Sequence, residues 1–206
     1  MGFYTDRIVP HLVDVVCGSS MTAPSRERVC SGLRGRVVEI GFGSGTNVPY
    51  YPAGVESVTA VEPADVAWRL ARPRVAESTV PVERSGLDGQ SLPFPDGSFD
   101  TALSTWTLCT IPDAVQALRE VRRVLAPGGT LHFVEHGLAP DEPVRRWQYR
   151  LDPLQQALTG GCHLTRDIAA LVQEAGFDLR ELDTFYEKGT PKFFGALSLG
   201  VAAPVS

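Results

Sequence analysis

"VVEIGFGSG", Val37 to Gly45, is a short apolar run that stops on three glycines at every second position. Such a run, bounded by glycines, reads as a strand buried on both faces of a sheet. Glycines placed directly after it let the backbone turn sharply and approach a ligand with no Cβ in the way. A helix that follows points its positive N-terminus at whatever sits above the loop. Position 46 is Thr, so the spacing is GxGxG and not the GxGxxG of dinucleotide folds. About twenty residues on, the next apolar run ends in "AVEP", which puts Glu62 where a strand-end carboxylate can accept both hydroxyls of a ribose.

Outward from this loop the same rhythm repeats. "RGRVVEIG", "SVTAVE", "TVPVER", "FDTALST" and "TLHFVEH" read as strands, with helical stretches such as "DAVQALREVRRVL" between them. Alternation of this kind predicts an α/β fold with a mostly parallel sheet and helices on both faces. "FDLRELDTF" and "KFFGALSLG", joined by a loop with Gly189 and Pro191, predict a C-terminal antiparallel hairpin. Between them and "TLHFVEH" the spacing predicts helices near 141–158 and 165–175, with Gly160 and Gly161 ending the first and Thr165 capping the second. Residues 3–17 read as an amphipathic helix delayed by Pro10, followed by a polar linker, "GSSMTAPSRER".

The totals set bounds. A chain of 206 residues, 43% apolar and 21% charged, is expected to be one soluble domain. A net charge of −5, with Lys188 and Lys192 the only lysines, points away from a nucleic-acid partner. Four scattered cysteines, Cys17, Cys30, Cys109 and Cys162, show no CxxC or Cys/His spacing, so reduced thiols and no metal site are expected. No apolar window reaches the roughly 18 residues of a membrane span, and the N-terminus lacks the layout of a signal peptide. A cytoplasmic protein is the expectation, with peripheral membrane contact left open.

"VVEIGFGSG", "VEP", "LPFPDGSFD" and "VRRVLAPGGTL", in that order over residues 34–136, resemble class I S-adenosylmethionine-dependent methyltransferases. The resemblance implies a Rossmann-like, seven-stranded sheet with its last strand antiparallel, and S-adenosylmethionine as cofactor. It implies that Glu39, Gly41, Gly43 and Gly45 surround the methionine part and that Glu62 holds the ribose. Asp88 and Gly89 would address the adenine amino group. Ser104, with Thr105 and Trp106, would meet the methionine ammonium and the methyl.

"EH" at 135–136, "LCT" at 108–110, the tryptophan-bearing helix with "DP", and "GGCHLTRD" at 160–167 are similar to the small thiol S-methyltransferase branch. This implies a small thiol or sulfide as acceptor, with residues 31–206 as the methyltransferase domain. Residues 137–176 would form a helical insertion over the acceptor site, and 1–30 a helix and linker covering it. His136, His163 and Arg166 are the candidate catalytic residues: an imidazole to take the thiol proton, a guanidinium to favour the thiolate. Arg166 has a competing structural role, pairing a carboxylate such as Asp152. Gln90 departs from the branch, whose thiol-methylating members carry an acidic residue there. Alternatives are an N- or O-methyltransferase for phospholipid headgroups or quinones, an NAD(P)-dependent oxidoreductase, and a non-enzymatic S-adenosylmethionine-binding protein.

Overall fold

The structure is a computed structural model that describes residues 11, 14, 21–85 and 88–205. Its strands are β1 (Gly35–Ile40), β2 (Val55–Val61), β3 (Val82–Arg84), β4 (Phe99–Thr105), β5 (Leu125–His136), β6 (Phe177–Tyr186) and β7 (Ala196–Pro204). The helices are α1 (Ala23–Cys30), α2 (Asp65–Ala76), α3 (Ala114–Val124), α4 (Glu142–Leu158) and α5 (Ile168–Glu174). All seven strands form one sheet in the order β3-β2-β1-β4-β5-β7-β6. β7 runs antiparallel to β5 and β6, while β1 to β5 pair in parallel. This is the expected Rossmann-like α/β sheet with its antiparallel hairpin.

Successive residues of the central strands go to opposite faces. Val38, Ile40, Ala102 and Phe133 pack with Leu118 and Val121 of α3 and Ile168 and Val172 of α5. Val37, Leu103 and Val134 pack on the other side with Val29 and Cys30 of α1 and Ala71 of α2. α3 forms because Ala114, Ala117, Leu118, Val121 and Val124 make one apolar stripe, and because the Asp113 side chain accepts from the Gln116 amide at its start.

Three expectations are corrected. The segment expected as a polar linker contains α1, because Ser25 and Arg26 are buried polar partners and not solvated ones. α5 begins at Ile168 with Asp167, not Thr165, as its cap: the Asp167 side chain accepts from the Ala170 amide, while the amides of His163 and Leu164 and the Arg166 side chain bond to other parts of the chain. β7 begins only at Ala196, because the amides of Phe194 and Gly195 both turn back to the Pro191 carbonyl. The expected 3–17 helix lies outside the described residues except at His11 and Asp14, and Cys17 lies outside them too. Among the described residues no helix is long and apolar enough to cross a membrane.

α4 inverts the usual pattern. Gln148 and Asp152 are buried, while Trp147, Tyr149, Leu154 and Leu158 are exposed. Gln148 explains its own burial: it accepts from the Ala139 amide and donates to the Gly137 and Phe193 carbonyls.

Gly200 of β7 is a packing constraint. A Cβ there would lie 2.6 Å from the Phe133 ring and 2.6 Å from the Glu181 carbonyl. Overpacking a buried site costs about 1–3 kcal/mol, so Gly200→Ala is expected to lower the urea midpoint by that equivalent with an unchanged slope. A midpoint equal to the parent's would show that the β5–β7 interface can yield.

Candidate functional site

β1 and β4 are neighbours whose following segments leave toward opposite sides of the sheet, and a crevice opens at the carboxyl ends of strands at such a switch. Both segments carry the chemistry. After β1, Gly41, Gly43 and Gly45 take φ values of 68°, 59° and 74°. At Gly41 a Cβ would fall 2.1 Å from Thr107 Oγ1, so the two loops touch only because that glycine lacks one. Among the described residues a Cβ at Gly43 would meet nothing nearer than the Gly41 carbonyl at 3.8 Å. The loop therefore has an open face, shaped as a cradle that a side chain would fill.

Glu62 tethers this loop. Its two carboxylate oxygens accept from the amides of Gly43 (2.8 Å) and Ala64 (2.7 Å). A carboxylate offers about four lone-pair sites, so it retains acceptor capacity for a diol. Burial pushes its pKa up, and the two amides and Arg84 oppose that. Glu39, fully buried at the end of β1, accepts from Asn47 Nδ2 at 2.9 Å and from the Tyr51 hydroxyl. Asn47 also donates to Thr105 Oγ1 (2.9 Å) and accepts from the buried Arg26 (2.5 Å). Arg74 donates to the Ser44 carbonyl at 2.8 Å and pairs with Asp14 at 3.0 Å, joining α2 and the N-terminal segment to the glycine loop.

After β4 the backbone passes through Trp106 at φ 50°, a left-handed conformation unusual for a bulky residue. The Arg26 guanidinium lies over its ring at 4.6 Å, and the His136 ring meets it edge-on at 6.4 Å. Glu135, fully buried in β5, accepts from Ser104 Oγ (2.8 Å), the Thr107 amide (3.0 Å) and the Cys109 amide (3.3 Å). Burial raises its pKa against the pull of these donors.

The candidate catalytic residues separate. His136, half-buried at the end of β5, places Nδ1 3.7 Å from Cys162 Sγ, which lies 3.3 Å from Cys109 Sγ. Their hydrogen bond pushes Cys109 up and Cys162 down; burial adds to the first shift, His136 and Gln155 to the second. His163 instead has Nδ1 3.6 Å from Asp152. Arg166 donates to the carbonyls of Leu108, Ile111 (2.7 Å) and Pro112 (3.5 Å). The alternative pairing of Arg166 with Asp152 is thus corrected: Asp152 is engaged by the Leu164 amide (2.6 Å) and Gln156 (2.7 Å).

Among the expected cofactor residues, Gly41, Gly43, Gly45, Glu39 and Glu62 converge on one loop. Gly89 packs tightly against it, since a Cβ there would sit 2.9 Å from Ile40. Asp88 is exposed and caps its own turn, accepting from the Gln90 amide at 2.9 Å. The Ser104 hydroxyl is committed to Glu135. Cys109, His136 and Cys162 bring their donor atoms within 4.8 Å of one another, a grouping that their sequence spacing does not announce. Sequence reading missed this trio, and Arg26, Asn47 and Glu135. The ligand spacing is too wide to recognise, although "EH" and "GGCHLTRD" were already singled out.

Residues 38–133 match the methyltransferase domain family. Over 150 residues the chain is 34% identical to thiol S-methyltransferase TMT1A of Homo sapiens, covering 71% of this chain and 61% of that protein. Over 104 residues it is 34% identical to phosphatidylethanolamine N-methyltransferase of Cereibacter sphaeroides, covering 50% of this chain and 51% of that one. A SAM-dependent methyltransferase of Thermotoga maritima shares the fold at a TM-score of 0.69 and 23% identity over 96% of each chain. Residues 38–133 carry a domain of the methyltransferase class. The chain spans about three fifths of the length of the human relative, with 61% covered. The open cradle at Gly43 and the spare acceptor capacity of Glu62 fit the cofactor that this class implies. Neither the GxGxG spacing nor the match supports the oxidoreductase alternative.

Glu39 gives the methyltransferase domain a pH signature. Burial raises its pKa from 4.5 to about 7, so between those values the native state holds a proton that the unfolded chain releases. Stability from this group then falls as pH rises through that window, by about 3 kcal/mol in all. His132, lowered by burial to about 4, works oppositely between about 4 and 6.5. Glu39→Gln removes only the first effect. Its stability relative to the parent, from urea unfolding at stepped pH, is expected to climb from pH 4.5 to 7 and then level off. A flat difference would place Glu39 at its ordinary pKa.

Proposed function

We propose that the protein transfers a methyl group from S-adenosylmethionine to a small thiol or sulfide. The observation that carries this is the glycine loop after β1, tethered by Glu62 and touching the loop after β4 at Thr107, with Trp106 and His136 at the carboxyl ends of the neighbouring strands. When bound, the cofactor supplies an electrophilic methyl on a sulfonium. In this reading Glu62 and the Gly43 backbone hold the adenosine side, and Asp88 closes over it from the loop after β3. Trp106, pinned by Arg26, sets the wall where the acceptor meets the methyl.

In-line displacement asks little covalent chemistry of a protein. Holding nucleophile and carbon collinear supplies on the order of 7–11 kcal/mol. A free thiol with a pKa near 8.5 is already a few percent thiolate at neutral pH, so the site need only favour that form. Of the three candidate catalytic residues, His136 borders this wall. His163 and Arg166 act as positioning residues, holding the 159–166 turn and the loop after β4 against each other. The thiol acceptor is supported by the 34% identity to a thiol S-methyltransferase. Transfer to a phospholipid headgroup amine is the second reading, favoured by the Cereibacter sphaeroides relative and by the exposed apolar side chains of α4.

Two variants test the cradle by titration calorimetry with S-adenosylmethionine. Glu62→Ala is expected to lose about 1.5–3 kcal/mol of affinity, the range for hydrogen bonds to a charged group. Gly43→Val should remain folded yet bind no measurable cofactor, because branched carbons would occupy the open face. Parent-like affinity in both would remove the cofactor from this loop. Release of S-adenosylhomocysteine across a panel of thiols, amines and phenols then decides the acceptor, with turnover of thiols expected to dominate.

A further inference from the structure

Cys109, Cys162 and His136 come from three separate places: the loop after β4, the turn after α4, and the end of β5. Their donor atoms nevertheless form one compact group, with Sγ–Sγ at 3.3 Å, Sγ–Nδ1 at 3.7 Å, and every pair within 4.8 Å. A tetrahedral zinc ion has Zn–S near 2.3 Å and Zn–N near 2.0–2.1 Å, which separates two sulfurs by about 3.8 Å and sulfur from nitrogen by about 3.6 Å. The Cys162–His136 pair matches that spacing and the sulfur pair is about 0.5 Å closer than it, so small side-chain movements bring the three donors onto one ion. The sulfur pair lies well outside the roughly 2.05 Å of a bonded one.

We propose that Cys109, His136 and Cys162 bind a thiophilic divalent metal ion, zinc by ligand type, and that the acceptor thiol takes the fourth position. Two sulfurs and an imidazole select zinc over magnesium or calcium, which prefer oxygen. Three protein ligands with one place open is the pattern of catalytic zinc, and four would mark a structural ion.

The surroundings hold these ligands as an outer shell does. The Cys109 amide donates to Glu135 at 3.3 Å, and its carbonyl accepts from the His163 amide at 2.8 Å. The Trp106 ring meets the His136 ring edge-on at 6.4 Å. Both cysteines are buried while His136 is half-buried, so the approach to the ion is from the histidine side, where the acceptor wall lies. On binding, the acceptor's S–H bond breaks, its proton passes to water, and a sulfur–metal bond replaces a metal–water bond. The metal site itself stands on geometry; the role of the acceptor rests on the thiol reading above.

The test uses the reduced, chelator-stripped chain titrated with Co²⁺ and Zn²⁺ without oxygen. One equivalent of Co²⁺ is expected, with thiolate-to-cobalt charge-transfer absorption, and a thiol acceptor should then shift the cobalt ligand-field bands. His136→Ala and Cys162→Ser, confirmed as folded by thermal melts, should weaken binding on the order of 100-fold or more, since loss of outer-shell partners alone costs 10–100-fold. No uptake by the reduced chain, parent-like uptake by both variants, or a Cys109–Cys162 disulfide in place of uptake overturns the site. Undiminished thiol methylation by the stripped chain overturns the metal's role and leaves the thiol reading standing. Cobalt held by these three residues in a protein that methylates only amines overturns the thiol reading and leaves the metal site.

Discussion

The buried carboxylate of Glu135 organises the crevice. A carboxylate without water is tolerated only where donors surround it, and here they come from one short stretch of chain. The Ser104 hydroxyl and the amides of Thr107 and Cys109 all point at it. Meeting that demand forces the chain after β4 to curl back over the end of β5. The curl carries Trp106 through a left-handed conformation, a strain of order 1–3 kcal/mol for a side chain of that kind. It also brings Thr107 against Gly41 and sets Cys109 beside His136. The contact between the two loops of the switch point, and the grouping of the cysteines, follow from one acid in the interior of β5.

A second polar chain runs from α1 through the same crevice. Arg26 donates to Asn47, Asn47 to Glu39 and Thr105, and Tyr51 to Glu39. The network joins α1, the glycine loop and the end of β4. A buried network of this kind rigidifies what it touches only if each member is satisfied, and Glu39 is satisfied by two donors. The guanidinium also stacks on Trp106, so α1 braces the strained residue that Glu135 creates. This physical link makes the N-terminal part of the chain part of the site.

Much of this was legible in the sequence because it is local. The strands are runs of alternating or continuous apolar residues, and the glycine loop announces itself by spacing. Glu62 stands just past a strand end, where position alone picks it out. α1 was misread because two of its four buried residues are Ser25 and Arg26, whose partners Glu187 and Asn47 lie 162 and 21 residues away. The cysteine–histidine group was hidden for the same reason. Its members sit 27 and 26 residues apart, and only the β4–β5 pairing and the return of α4 bring them together. Sequence spacing reports contacts within an element; it is blind to those that topology makes.

The stretch "GGCHLTRD" shows how the two kinds of information divide. Gly160 and Gly161, at φ 70° and 101°, end α4, and Asp167 starts α5, so the two edges of the turn are local punctuation. The middle is fixed from a distance. The Leu164 amide is held by Asp152, the His163 amide by the Cys109 carbonyl, and the Arg166 guanidinium by the carbonyls of Leu108 and Ile111. These bonds leave the backbone no freedom to exchange neighbouring side chains. With His163 Nδ1 3.6 Å from the buried Asp152, Cys162 is the residue turned to His136 and Cys109. A histidine would look the more functional of the two from sequence alone. The hydrogen bonds of the turn instead put the cysteine beside His136 and Cys109.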